Sequence, residues 1–112
     1  MKFGEFVRER RAAKNIGLRQ MSKMIRVSPT YLSKVERDEF PPPAEDKVKA
    51  ISKIIECDED DLLARANRLS SDISEIIKHR PVELTALLRT TKGMTAESIA
   101  RLIRQAEKAK EG

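Results

Sequence analysis

The sequence predicts an all-helical protein: a first domain of five helices, followed by a shorter tail of about three. Three observations carry this. Apolar residues recur at i, i+3, i+4 and i+7 along nearly the whole chain, the spacing of a helix with one buried face. Only four of the 112 residues are glycine, and the β-branched runs that mark strands are scarce. Helix-starting signals stand just ahead of apolar stripes at Ser28-Pro29, at Asp58 and at Thr95.

The first helix is expected over residues 2–14, with Phe3, Phe6, Val7 and Ala13 inward, and it is broken by Asn15, Ile16 and Gly17. A second runs over residues 18–25 and places Leu18, Met21, Ser22 and Ile25 on one face, with Met24 at the core edge. Ser28-Pro29 opens the third: Ser is a preferred N-cap, and Pro suits the first helical position because its missing N–H would have no partner there. That helix carries Leu32 and Val35 inward and ends near Arg37; Pro41-Pro42-Pro43 cannot continue it. The fourth spans residues 44–55, with Ala44, Val48, Ile51 and Ile55 on a stripe. Asp58 caps a short fifth helix holding Leu62, Leu63 and Ala66, and Glu59, Asp60 and Asp61 complement its dipole. In the tail, Ser70 or Ser71 caps a helix with Ile73, Ile76 and Ile77. Pro81 opens one with Leu84, Leu87 and Leu88, and Thr95 caps the last, with Ile99, Leu102, Ile103 and Ala106. The expected domains are residues 1–68 and 69–112.

Composition narrows the function. No run approaches the roughly 18 apolar residues of a membrane span, and no charged-then-apolar signal pattern opens the chain, so a cytoplasmic protein is expected. One cysteine, Cys57, excludes an intramolecular disulfide; one cysteine and one histidine, His79, leave too few ligands for a zinc site. Cys57 reads as a small half-buried residue and His79 as a surface one. No nucleotide-binding glycine loop and no nucleophile–histidine set appears, so neither an enzyme nor a cofactor is expected. Residues 1–40 hold ten Lys/Arg against five Asp/Glu, a net +5; residues 41–69 are net −2 and residues 70–112 net +2. A basic first third suits a polyanionic partner, nucleic acid first, or is a solvated helix face.

The second helix, the turn Arg26-Val27-Ser28 and the third helix make a helix-turn-helix. The third presents Pro29, Thr30, Ser33, Lys34 and Arg37 outward, side chains that are small or basic and polar apart from the proline. Such a face can enter the major groove, where polar side chains meet base edges and Lys or Arg meets phosphate. Residues 3–63 resemble the Cro/C1-type helix-turn-helix domain, the XRE family of lambdoid phage repressors and many bacterial regulators. The resemblance rests on LRQMSKMIRVSPTYLSKVERDEFPPP, residues 18–43, above all on the run from Val27 to Arg37. It implies a five-helix lambda-repressor-like domain that binds double-stranded DNA and regulates transcription.

The resemblance also assigns residues. Ser28, Pro29, Thr30, Ser33 and Lys34 fall to base reading. Arg19 and Gln20, at the start of the second helix, fall to phosphate, as do Arg26 and Arg37; Tyr31 either packs or donates to phosphate. Arg11 and Glu36 match an internal salt bridge, which agrees with their places at the edges of apolar stripes on helices that must cross. The sequence departs from the family pattern at Gly17, where Ser or Thr is usual, and at Arg26, where Gly is usual. A left-handed backbone at Arg26 costs of order 1 kcal/mol.

The tail holds more apolar residues than three short helices can hide. It is read as a dimerisation segment centred on Ile99, Leu102 and Ile103, which makes the protein a homodimeric repressor on a two-fold operator. The alternatives are an antitoxin of the same fold that also blocks a toxin protein, and a helical protein-interaction module with an acidic partner. An accessory subunit of an enzyme has no feature in its favour.

Overall fold

The structure is a computed structural model that describes all of residues 1–112. It contains eight helices and no strand: α1 Phe3–Ala13, α2 Leu18–Met24, α3 Pro29–Glu36, α4 Glu45–Ile54, α5 Glu59–Arg65, α6 Ser71–His79, α7 Pro81–Thr90 and α8 Ala96–Glu111. The chain divides into two units, Met1–Ser71 and Asp72–Gly112. No helix is long and apolar enough to cross a membrane.

The first unit has one apolar core drawn from all five of its helices, with Val7, Met21, Leu32, Val48, Ile51 and Leu62 completely enclosed. Two of its helices, α3 and α5, begin at a side-chain acceptor: Ser28 Oγ takes the Tyr31 N–H at 3.0 Å, and Asp58 Oδ1 takes the Asp61 N–H at 3.0 Å.

All five helices end the same way. The residue after each C-cap is left-handed: Asn15 (φ 57°), Arg26 (60°), Asp38 (58°), Glu56 (53°) and Asn67 (57°). The next N–H then turns back to a carbonyl five residues earlier, as in Ile16 to Arg11 at 3.2 Å, Val27 to Ser22 at 2.9 Å and Cys57 to Ser52 at 2.9 Å. This closure satisfies carbonyls that a helix end otherwise leaves unpaired and swings the chain sharply into the next element. Cys57 is thus the half-buried residue that follows the turn after α4. Burial pushes its thiol pKa up, and the nearby Asp61 charge adds to the shift.

Several inward assignments change. Ala13 is exposed and Phe6 only half-buried, because α1 turns Gly4 and Arg11 toward α3 along with Phe3 and Val7. Phe6 instead lies under the Arg65 guanidinium, 3.9 Å from its ring centroid, with Arg10 at 5.4 Å. Met24 is exposed. Ala44 is the exposed, extended N-cap of α4 rather than part of its stripe. Ser71 is the first residue of α6, and its N–H and hydroxyl both donate to Glu45, at 2.9 and 3.0 Å.

In the second unit Pro81 opens α7, and Thr95 Oγ1 caps α8 by accepting the Ser98 N–H at 3.1 Å. Not one residue of this unit is buried. Ile76, Leu87, Leu88 and Ile103 stand largely exposed, so its helices carry amphipathic faces without a core of their own.

Candidate nucleic-acid interface

The helix-turn-helix is α2, the segment from Ile25 to Ser28, and α3. Three features lock its geometry. Buried Ser22, in the middle of α2, returns its hydroxyl to the Arg19 carbonyl at 2.8 Å, so a small polar residue sits in the core with its bond made. Arg26 supplies the left-handed residue that turns the chain, and half-buried Val27 follows it inward. Lys47, reaching from α4, donates to the Ile25 carbonyl at 2.8 Å and places a cation at the negative end of α2.

α3 is clamped to α1 at two points. Arg11 Nε and Nη2 each donate to Glu36 at 2.8 Å, and Nη1 donates to the Ile16 carbonyl at 2.7 Å. The Glu36 side chain is 3% exposed and that of Arg11 13%, so this forked pair is largely withdrawn from water. The bond to Glu36, supplemented by its charge, raises the Arg11 pKa above its ordinary value. At the other end of α1, the Gly4 N–H donates to Asp38 Oδ1 at 2.8 Å. The left-handed Asp38 therefore ends α3 and caps α1 at once. A Cβ on Gly4 would lie 2.1 Å from the Val35 carbonyl oxygen, which shows how closely the two backbones approach.

With Leu32, Val35 and Glu36 buried, α3 turns Thr30, Ser33, Lys34 and Arg37 to the opposite side. Ser28 and Thr30 are exposed and Pro29, Ser33 and Lys34 half-buried; Arg19, Gln20 and Arg26 are exposed. The structure gathers Arg19, Pro29, Thr30, Ser33 and Arg37 around one surface cleft. A neighbouring cleft is lined by Arg19, Gln20, Ser22, Lys23, Val27 and Pro29. Three cations, Arg19, Lys23 and Arg37, thus border these clefts, of which Lys23 is an addition; its signal is its place one turn after Arg19. Gln20 Oε1 accepts the Gly17 N–H at 3.4 Å, the half of a capping box that does not need a side chain at the N-cap. Arg37 is ion-paired to Glu39 at 2.9 Å.

Lys34 and Tyr31 lie apart from that cleft. Tyr31 packs against Phe40, with ring centroids 5.9 Å apart, and the Lys34 ammonium sits 5.1 Å from the Phe40 centroid. Gly4, Asp38 and Lys47 had no motif to announce them, because each acts across elements distant in sequence; Phe40 acts on Tyr31 and Lys34 nearby, through a loop that has no periodic pattern.

The proposed dimerisation residues all belong to α8: Ile99 and Leu102 are half-buried and Ile103 is exposed. Nowhere do three His, Cys, Asp or Glu side chains gather in a way that could hold a metal ion.

The chain matches a family described as a helix-turn-helix domain over residues 4–68. No curated protein matches it. Among solved structures it is similar to the clp gene regulator ClgR from Corynebacterium glutamicum, with 25% identity, a TM-score of 0.50 and coverage of 80% of this chain and 88% of that one. It is also similar to a structure described as a SinR protein/SinI protein complex, with 17% identity, a TM-score of 0.51 and coverage of 98% and 99%. The second likeness is one of fold.

Proposed function

We propose that this chain, which belongs to the XRE-type helix-turn-helix family of DNA-binding transcription regulators, is a repressor that binds a two-fold operator as a homodimer. The observation that carries this is the outward face of α3, whose Thr30, Ser33 and Lys34 turn away from the buried Leu32 and Val35, with Arg19 and Arg37 bordering the same cleft as Thr30 and Ser33. α3 enters the major groove; Thr30, Ser33 and Lys34 read base edges from it, with Ser28 and Pro29 at its leading end. Arg19, Gln20, Arg26, Tyr31 and Arg37 hold the backbone on either side. The Arg37–Glu39 pair must open or tilt for Arg37 to do so. The protein acts in the cytoplasm, by binding rather than by catalysis. A second copy covers the apolar faces of the 72–112 unit, and the linked pair spans half-sites about 34–36 Å apart.

A second reading, an antitoxin-like regulator, has the same uncovered faces in its favour: a different protein could cover them. Selection of bound duplexes from a randomised library tests the main reading. It should return a palindromic site, and log affinity should fall with log salt by about 0.9 for each phosphate neutralised. Affinity that stays flat between low and physiological salt overturns the reading. Sedimentation separates the two partners: a dimer that Leu102→Glu combined with Ile103→Glu breaks supports self-association, whereas a stable monomer points to another protein.

A further inference from the structure

We infer that Phe40, in the loop after the recognition helix, sets base preference by positioning Lys34; this rests on the assignment of Lys34 to base reading above. Three contacts build the arrangement. The Phe40 N–H returns to the Lys34 carbonyl at 3.3 Å, which folds the loop back over the end of α3. The Phe40 ring leans on Tyr31 with centroids 5.9 Å apart and planes at 47°. The Lys34 ammonium rests 5.1 Å from the centroid of that ring, within the range of a cation–π contact.

The choice of partner matters. A carboxylate would neutralise the Lys34 charge and engage its donors, as Glu39 does for Arg37. An aromatic face attracts the cation but leaves it a full positive charge and N–H donors for an acceptor on DNA. It also narrows the range of conformations open to a four-carbon stem, so less freedom is lost when Lys34 meets a base. Tyr31 backs the ring from the helix side, and Tyr31 and Lys34, three residues apart on α3, face the same loop residue. Phe40 is 40% exposed, so the ring stands at the surface where the Lys34 ammonium can reach both it and solvent.

The test uses the full chain and a randomised duplex library. The base pair whose preference Lys34→Ala relaxes is identified first. Phe40→Leu, which keeps apolar bulk but loses the ring, should relax preference at that same base pair by about two- to fivefold. Phe40→Tyr, which keeps the ring, should retain the preference. Added to Lys34→Ala, Phe40→Leu should cost nothing further, because the two act through one contact. Ring-current shifts of the Lys34 side-chain protons should vanish in Phe40→Leu and persist in Phe40→Tyr. The inference is overturned if Phe40→Leu keeps full preference, if it weakens all sequences alike, or if the ring-current shifts are absent in the unmodified protein. Should Lys34→Ala relax no base pair while the protein still selects a site, this inference falls and the DNA-binding reading stands. If the protein selects no site at all, both fall.

Discussion

Replacing Arg11 with Met should be among the most damaging single changes in the first unit. The substitution removes two charge-assisted bonds of 2.8 Å to Glu36 and one of 2.7 Å to the Ile16 carbonyl, while retaining much of the apolar stem. What remains is a carboxylate at 3% exposure with no cation beside it. Removing one partner of a buried pair costs about 3–5 kcal/mol. Some water can follow the 13%-exposed side of the pair, which favours the lower end, about 3 kcal/mol. Such a loss lowers Tm by about 12–24 °C in a domain of this size. The reciprocal change, Glu36→Leu, should cost less, because Arg11 can turn its guanidinium toward solvent. Arg11→Met combined with Glu36→Leu removes both charges and should recover to within about 1 kcal/mol of the original protein. Urea unfolding followed by tyrosine fluorescence reports the first unit alone, since Tyr31 is the one tyrosine and tryptophan is absent. A cost below about 1 kcal/mol for Arg11→Met, or a double variant no more stable than the single one, refutes the reasoning.

Gly4→Ala should destabilise by about 1–3 kcal/mol in the same assay, since the new Cβ meets two backbone oxygens and the strain exceeds alanine's helix preference of about 1 kcal/mol. Arg26→Gly should do the reverse, gaining up to about 1 kcal/mol at a φ of 60° while reducing the salt slope of DNA binding by about 0.9. A variant with unchanged slope would remove Arg26 from the phosphate contacts. Hydrogen bonds from Ser71, then the Lys49 ammonium, hold the Glu45 carboxyl below its ordinary pKa. Its contribution is therefore present above the usual carboxylate range and lost as pH falls through the lowered value. Glu45→Gln should flatten the fall in stability on the acid side of neutral pH, and an unchanged pH profile would contradict this.

The helix order, the helix-turn-helix and the residues on its outer face are legible along the chain. These depend on local rules: the 3.6-residue period, Ser28-Pro29, Asp58 and Thr95 as starts, and three prolines as a stop. Even the Arg11–Glu36 assignment rested on a family resemblance and on stripe edges, both readable along the chain. Tertiary structure decided how those pieces are held. The side of α1 that faces α3 is set by the close approach at Gly4 and the pull of Glu36 on Arg11, so Ala13 points outward and Phe6 lies only half-buried. The helix ends were legible along the chain, but the left-handed turns that close them fall on Asn15, Arg26, Asp38, Glu56 and Asn67 rather than on glycine, and the returning N–H bonds offset their strain. Asp38 capping α1 and Lys47 closing α2 leave no periodic trace. Each is a single side chain meeting an element whose place only the packed core defines, and a contact of that kind has no spacing for a sequence to display.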